Sequence, residues 1–298
     1  MNASPKLGFI GLGAMGEPMA RALLRAGFSV TACAHRRRDP LERLAAEGLR
    51  EAANPRAVAA QSDILITCVP DAPQVEEALF GSDGAAAGLA RGSVVIDMST
   101  ISPIASKSFS ARLAGQGVGF VDAPVSGGPM RAKEGTLTIM VGADAATFAR
   151  VEPVLKAMGT PHHLGEVGMG ETVKLVNQII IAGVMVANAE ALVFAKLAGA
   201  DLDAVRKVIA TATGSNYVLD QWLPKTWFAG SFEGGFAMDL LRKDVAAALD
   251  AAKAMQHAMP ATGLAYQLYT ARSAEGDGAL DYSAIAKWYE RIVGDEAL

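Results

Sequence analysis

One cation interrupts an apolar helical run. In GMGETVKLVNQIIIAGVMV (168–186), Lys174 is followed three and four positions later by Asn177 and Gln178. On a helix those offsets share a face, so an ammonium and two amides line one strip of a hydrophobic rod. A lysine in such a setting ordinarily snorkels its charge to water. Three features favour chemistry instead. Gly168 and Gly170 permit close approach to the helix start, the amides supply an oriented polar strip, and the position lies near an expected domain junction, where ligand clefts form. Partial desolvation and the positive end of the helix both oppose the ammonium charge and are expected to lower its pKa. That suits proton transfer near neutral pH. Lys174 is the candidate acid/base, and Asn177 and Gln178 are candidate substrate ligands.

A second constellation stands near the start of the chain. GLGAMG (11–16) fits G-x-G-x-x-G at Gly11, Gly13 and Gly16, directly after a strand-like run and at the opening of a helical one. Such glycines give a tight turn, close backbone approach to a pyrophosphate and close helix–strand packing, with the anion at the positive helix end. Gly11, Leu12, Gly13, Ala14, Met15 and Gly16 therefore form the candidate dinucleotide loop. An NAD reader places a carboxylate about 20 residues on, for the ribose hydroxyls. Here the corresponding positions are Ala34 and His35, and Arg36, Arg37 and Arg38 follow. A guanidinium pairs well with phosphate, so His35, Arg36 and Arg37 are assigned to a 2′-phosphate, and NADP is expected over NAD. A solvated basic turn is the bland alternative.

Three further loops carry candidates. CVPDAP (68–73) and DMSTISP (97–103) leave strand-like runs, and Val69, Pro70 and Thr100 are placed near the nicotinamide half of the cofactor; ordinary turn and N-cap roles account for them too. In DAPVSGG (122–128), Ser126 offers a hydroxyl, and Gly127 and Gly128 expose backbone N–H groups that could hold a carboxylate. A plain tight turn explains that loop equally well.

These residues need a scaffold, and the chain supplies one. Runs 7–11, 28–34, 63–69, 93–98 and 119–125 read as buried strands, separated by Ala- and Leu-rich helical segments such as 14–27, 39–48 and 102–117. Such alternation predicts a parallel, doubly wound sheet. CVPDAP then follows the third parallel strand. A further strand at 136–142 precedes a helix at 144–158. Beyond residue 168 the pattern becomes helical: 171–198, 201–212, 216–227, 237–257 and 281–293. The predicted division is 1–165 for the nucleotide-binding domain and 166–298 for an all-helical substrate and dimerisation domain.

Composition bounds the function. At 298 residues, 51% hydrophobic and a formal net charge of −4, the chain reads as a two-domain globular protein rather than a nucleic-acid binder. Its two cysteines, Cys33 and Cys68, fall in strand-like runs and read as buried thiols of a cytoplasmic protein. No signal peptide is readable in MNASPKLGFIG. The apolar stretch 179–187 is too short to span a bilayer, so no membrane association is expected. The four histidines are dispersed, with His162 and His163 at a strand end, and no metal site is expected.

Taken together, GFIGLGAMGEPMARAL, DAPVSGGPMRAKEGTLTIMVGA, GMGETVKLVNQ and LLRKDVAAALDAA resemble the β-hydroxyacid dehydrogenase family, typified by 3-hydroxyisobutyrate dehydrogenase, from about residue 6 to about residue 290. The resemblance implies an α/β Rossmann-type N-terminal domain with an all-α, 6-phosphogluconate dehydrogenase-like C-terminal domain. It implies Lys174 as catalytic acid/base, Ser126, Gly127 and Gly128 as the carboxylate anchor, and Asn177 and Gln178 as orienting amides. It also implies that Lys243 lines the cofactor cleft, with Asp244 and Phe236 nearby. Many members carry two asparagines after the lysine; the Asn177–Gln178 pair is similar to the tartronate semialdehyde reductase branch. The implied reaction interconverts a small hydroxy acid and its semialdehyde in a homodimer or homotetramer. Tyr217, Trp222 and Met238 read as either pocket or core. The alternatives are an NADPH-dependent imine reductase, against which Lys174 counts, and a catalytically silent NADP-binding module.

Overall fold

The computed structural model describes residues 4–294. The chain divides into two compact units, one ending at Lys174 and the other beginning at Leu175. In the first, β1 (Leu7–Ile10), α1 (Gly16–Arg25), β2 (Val30–Ala32), α2 (Asp39–Ala45), β3 (Arg50–Glu51), α3 (Pro55–Ala59), β4 (Ile64–Thr67), α4 (Ala72–Phe80), β5 (Val94–Asp97), α5 (Pro103–Ala114) and β6 (Gly119–Asp122) build a six-stranded sheet of order β3-β2-β1-β4-β5-β6. Every pairing in it is parallel.

Strand alternation divides the core into two layers. Leu7, Phe9, Ile64, Ile66, Ile96 and Val121 join Met19 and Leu23 of α1 on one face. Ile10, Leu65, Val95 and Phe120 join Val58, Val75, Leu79 and Phe109 on the other. Because successive side chains point to opposite faces and both are covered, the strands carry unbroken apolar runs.

The structure corrects two sequence expectations here. The third parallel strand is β3, two exposed residues that show no apolar signal, so the loop containing Val69 and Pro70 follows the fourth strand. Residues 119–125 are not one strand. After β6, Pro124 intervenes, and β7 (Val125–Ser126) pairs antiparallel with β8 (Leu137–Val141) beyond α6 (Gly128–Glu134). Past α7 (Ala145–Lys156), β9 (Gly159–His163) completes a separate three-stranded sheet of order β7-β8-β9.

Helix α8 (Met169–Leu197) then begins where β6 ends. The buried Asp122 carboxylate accepts the Gly168 N–H at 2.7 Å and the Glu171 N–H at 2.8 Å. It thereby satisfies donors that a helix start leaves over. Glycine makes this approach possible: a Cβ on Gly170 would stand 2.3 Å from the Met140 carbonyl, and one on Gly142 would stand 2.4 Å from Asp122 Oδ1. Burial raises the Asp122 pKa to about 6, although the Gly168 and Glu171 N–H groups pull it down.

The second unit is helical: the rest of α8, then α9 (Leu202–Ile209), α10 (Met238–Ala254), α11 (Pro260–Ala274) and α12 (Ala286–Ile292). Helix α11 was not among the expected helices; Pro260 opens it, where its missing N–H costs nothing. Residues 216–227, expected as a helix, form a π turn at Val218–Trp222 and a 3-10 turn at Leu223–Lys225. By length and composition alone α8 is long and apolar enough to cross a membrane, a property that buried core helices share. Ala182, Met185, Ala189 and Leu192 of α8 pack with Trp227, Leu241, Tyr269 and Ile285. The buried Asp281 carboxylate accepts from Trp222 Nε1, the Phe236 N–H, and the N–H and Oγ of Ser283.

Two stability outcomes follow. Asp281→Ala strands buried donors and should lower unfolding free energy by about 3 kcal/mol in urea titration; a loss below about 0.5 kcal/mol would refute the role. Asp122 holds its proton more tightly folded than unfolded. Its contribution is therefore greatest below pH 4 and is lost as pH rises through 6. Relative to Asp122→Asn, the native protein should lose roughly 2–3 kcal/mol between pH 4 and pH 7; a flat difference would contradict this.

Candidate active site

The carboxyl ends of β2, β1, β4 and β5 are neighbours in the sheet, so four of the sequence-assigned loops emerge along one edge. At β1, Gly11 has φ +101°, and a Cβ there would lie 2.2 Å from the Cys68 carbonyl. A Cβ on Gly16 would lie 1.8 Å from the Gly11 carbonyl, whereas the space over Gly13 is open. Gly13 and Ala14 are exposed, while Leu12 and Met15 pack against the sheet core. No side chain caps α1. An uncovered helix start behind an open glycine turn fits the pyrophosphate of a dinucleotide.

At the end of β2, His35, Arg36 and Arg37 are all exposed. The three arginines differ in their company. Arg37 makes a paired contact with Asp39, at 3.1 and 2.7 Å, and Arg38 bonds Glu51 at 2.9 Å. Asp39 also pairs with Arg43, and these guanidinium groups hold its carboxyl down at about 2. Among the described residues, no carboxylate engages Arg36.

After β4, the Val69 N–H donates to Ser99 Oγ at 3.0 Å, and Pro70 is exposed. Ser99 in turn donates its N–H to Asp97 Oδ1, which also accepts Thr67 Oγ1 at 2.8 Å. Asp97 and Ser99 thus fix both loops, including the half-buried Thr100. Sequence reasoning missed both residues; the available signal was a carboxylate closing an otherwise apolar strand.

Ser126 ends β7, paired with Thr138, and Gly127 and Gly128 turn the chain into α6 at φ +133° and +66°. All three are half-buried, nothing crowds the position of a Cβ on Gly128, and Gly127 provides no side-chain cap to α6. The N–H groups of this turn can therefore receive an anion.

Lys174 is 7% exposed in the second turn of α8. Its helix begins on the Asp122 carboxylate at the end of β6, the strand beside β5. The ammonium is thus carried by a helix anchored at the carboxyl edge of the sheet.

In the helical unit, Asn177 Nδ2 donates to Gln178 Oε1 at 2.9 Å, and Gln178 Nε2 donates to Asp244 Oδ2 at 2.5 Å. Asp244 Oδ1 lies 2.7 Å from Lys243 Nζ. Asp244, Gln178, Asn177 and Lys243 form one polar relay across α8 and α10. The resemblance put Asp244 in this region, but its bond to Gln178 was not foreseen. Phe236 gives its N–H to Asp281, Trp222 gives its indole N–H to the same carboxylate, and Met238 is fully buried; these last two belong to the core. Tyr217 is exposed.

Other reactive side chains are quiet. Burial pushes the Cys33 thiol up to about 11 and the Cys68 thiol up to about 12. His163 ends β9, stacked on Phe148 and bonded to the Ala143 carbonyl. Among the described residues no His, Cys, Asp and Glu group gathers to hold a metal.

Comparison with known proteins bears on the family of the whole chain. Residues 6–181 match the NAD-binding domain of 6-phosphogluconate dehydrogenase, and residues 168–289 match the NAD-binding domain of NADP-dependent 3-hydroxyisobutyrate dehydrogenase. The chain is 40% identical to 2-(hydroxymethyl)glutarate dehydrogenase of Eubacterium barkeri, over 99% of this chain and 98% of that one. It is 42% identical to 2-hydroxy-3-oxopropionate reductase of Escherichia coli K12, over 96% and 97%. The structure of Mycobacterium tuberculosis 3-hydroxyisobutyrate dehydrogenase with L-serine superposes with a TM-score of 0.89 at 31% identity, covering 96% of this chain and 99% of that one. A glycine turn at a parallel sheet edge, a helical second unit and matches along nearly the whole chain have one common reading: the chain belongs to the 3-hydroxyisobutyrate dehydrogenase-like β-hydroxyacid dehydrogenase family, as an NAD(P)-dependent enzyme acting on CH–OH groups.

Proposed function

We propose that this protein is an NADP(H)-dependent enzyme that interconverts a small β-hydroxy acid and its semialdehyde, of the 3-hydroxyisobutyrate or tartronate semialdehyde type, with Lys174 as acid/base. The observation that carries the reading is the buried Lys174 ammonium on a helix whose first turn is tied to the sheet edge through Asp122. The 42% identity to 2-hydroxy-3-oxopropionate reductase and the shared cofactor logic of the family support it.

Ser126 Oγ and the N–H groups of Gly127 and Gly128 hold the substrate carboxylate. Lys174 Nζ donates a proton to the carbonyl oxygen as that oxygen gains negative charge, and accepts it back in the oxidative direction. Asn177 holds the substrate in line; Gln178, also assigned to the substrate from the sequence, is 1% exposed with both amide ends engaged, and supports Asn177 instead. The glycine turn, Val69, Pro70, Thr100 and Lys243 hold the coenzyme, which when bound supplies hydride to the carbonyl carbon. Arg36, with no carboxylate partner among the described residues, is the primary contact for a 2′-phosphate. Arg37 joins it only by exchanging Asp39 for phosphate, because Asp39 already occupies its guanidinium. The enzyme works as a cytoplasmic homodimer or homotetramer.

Lys174→Ala should keep NADPH binding, read by fluorescence titration, and lose kcat by about 100-fold or more; near-native turnover would exclude the role. Arg36→Ala should weaken NADPH about ten- to a hundredfold while leaving NADH affinity in place, and Arg37→Ala should do less. Equal losses for both coenzymes would rule out a 2′-phosphate contact.

A further inference from the structure

The relay in the helical unit has a direction, and that direction selects a substituent. An ionised carboxylate has acceptors only, whereas an amide has one donor end and one acceptor end. Asp244, already paired with the Lys243 ammonium at 2.7 Å, must therefore be met by the Gln178 amide nitrogen, at 2.5 Å. Gln178 Oε1 is thereby turned toward Asn177 and accepts its Nδ2 at 2.9 Å. With its amide nitrogen turned to Gln178 through one of its two N–H groups, the half-buried Asn177 presents its oxygen Oδ1 on the other side, and that oxygen meets no partner among the described residues. Asn177 follows Lys174 by three positions, on the same face of α8. The helix thus offers a donor, Lys174, and one turn later an acceptor whose polarity is imposed by Asp244.

We propose that Asp244, acting through Gln178, fixes Asn177 Oδ1 as an acceptor for a hydroxyl on the carbon next to the reducible carbonyl, so that the enzyme selects 2-hydroxy semialdehydes over their 2-methyl counterparts. The inference rests on the reading of Lys174 as the group that meets the carbonyl oxygen. A substrate spanning the strip brings an acceptor to the lysine and a donor to the amide. A methyl group in place of the hydroxyl leaves Oδ1 desolvated without a partner, and sites built to bond a hydroxyl reject such analogues strongly. Asp244 is a positioning residue in this scheme, since it acts through another side chain.

The test compares kcat/KM for 2-hydroxy-3-oxopropionate and 2-methyl-3-oxopropionate with NADPH. The native enzyme should prefer the hydroxylated aldehyde by about 100-fold. Asn177→Leu removes the acceptor and should bring the ratio to within about threefold, through loss on the hydroxylated substrate. Asp244→Asn reverses the relay: its amide nitrogen donates to Gln178 Oε1, Gln178 Nε2 then donates to Asn177 Oδ1, and Asn177 presents a nitrogen. The ratio should collapse there too, although Asn177 is intact. Because the readout is a ratio within each variant, a general loss of folded enzyme leaves it unmoved. A native ratio below about tenfold, or a ratio that survives in both variants, overturns the inference. Lys174→Ala in the same assays separates the two readings. If it keeps turnover, the lysine assignment fails; if turnover is lost while the native ratio is flat, only the amide inference fails.

Discussion

A carboxylate with no access to water holds the start of the long helix, and the proposed chemistry depends on it. Asp122 stands at the end of β6 and accepts two N–H groups from the first turn of α8. A helix start carries several unsatisfied donors and a partial positive charge, so an acid from the sheet is a specific partner for it. The close approach requires that residues 142 and 170 have no side chains. Burial opposes the charge, and the raised pKa of about 6 records that opposition. The clamp nevertheless fixes where the next turn of α8 begins, and that turn carries Lys174.

Buried acids recur as acceptors elsewhere in the molecule. Asp97 gathers Thr67 and the Ser99 N–H at the ends of β4 and β5. Asp281 gathers Trp222, Phe236 and Ser283 in the helical unit. Asp244 joins Lys243 to Gln178. Each resolves the same difficulty, in which polar donors leave water and need a strong acceptor. Where the donors are backbone groups, the carboxylate fixes geometry; where the donor is an amide side chain, it also fixes polarity.

The exposed cations at the end of β2 follow the opposite rule. Arg37, Arg38 and Arg43 are each balanced by acidic side chains in water, where such pairs contribute little to stability. Their consequence is selective availability: an arginine held by Asp39 is less ready for a phosphate than Arg36 beside it.

The sequence alone determined the kind of fold and the kind of chemistry. Unbroken apolar strands such as ILIT announce a sheet buried on both faces, and the glycine spacing at 11, 13 and 16 announces a turn that only small residues permit. Local signals of that sort live within a few residues, so they survive in the linear chain. What the linear chain did not disclose was lost: β3 is two polar residues, α11 lies outside the expected helices, and the run 119–125 hides a change of sheet at Pro124. Only the tertiary structure decided that Arg37 and Arg38 are held by Asp39 and Glu51, that Asp122 caps a helix 46 positions along the chain, and that Gln178 meets Asp244 across 66. A hydrogen-bond partner so far away is chosen by packing, and an amide shows which of its ends faces outward only once that partner is in place.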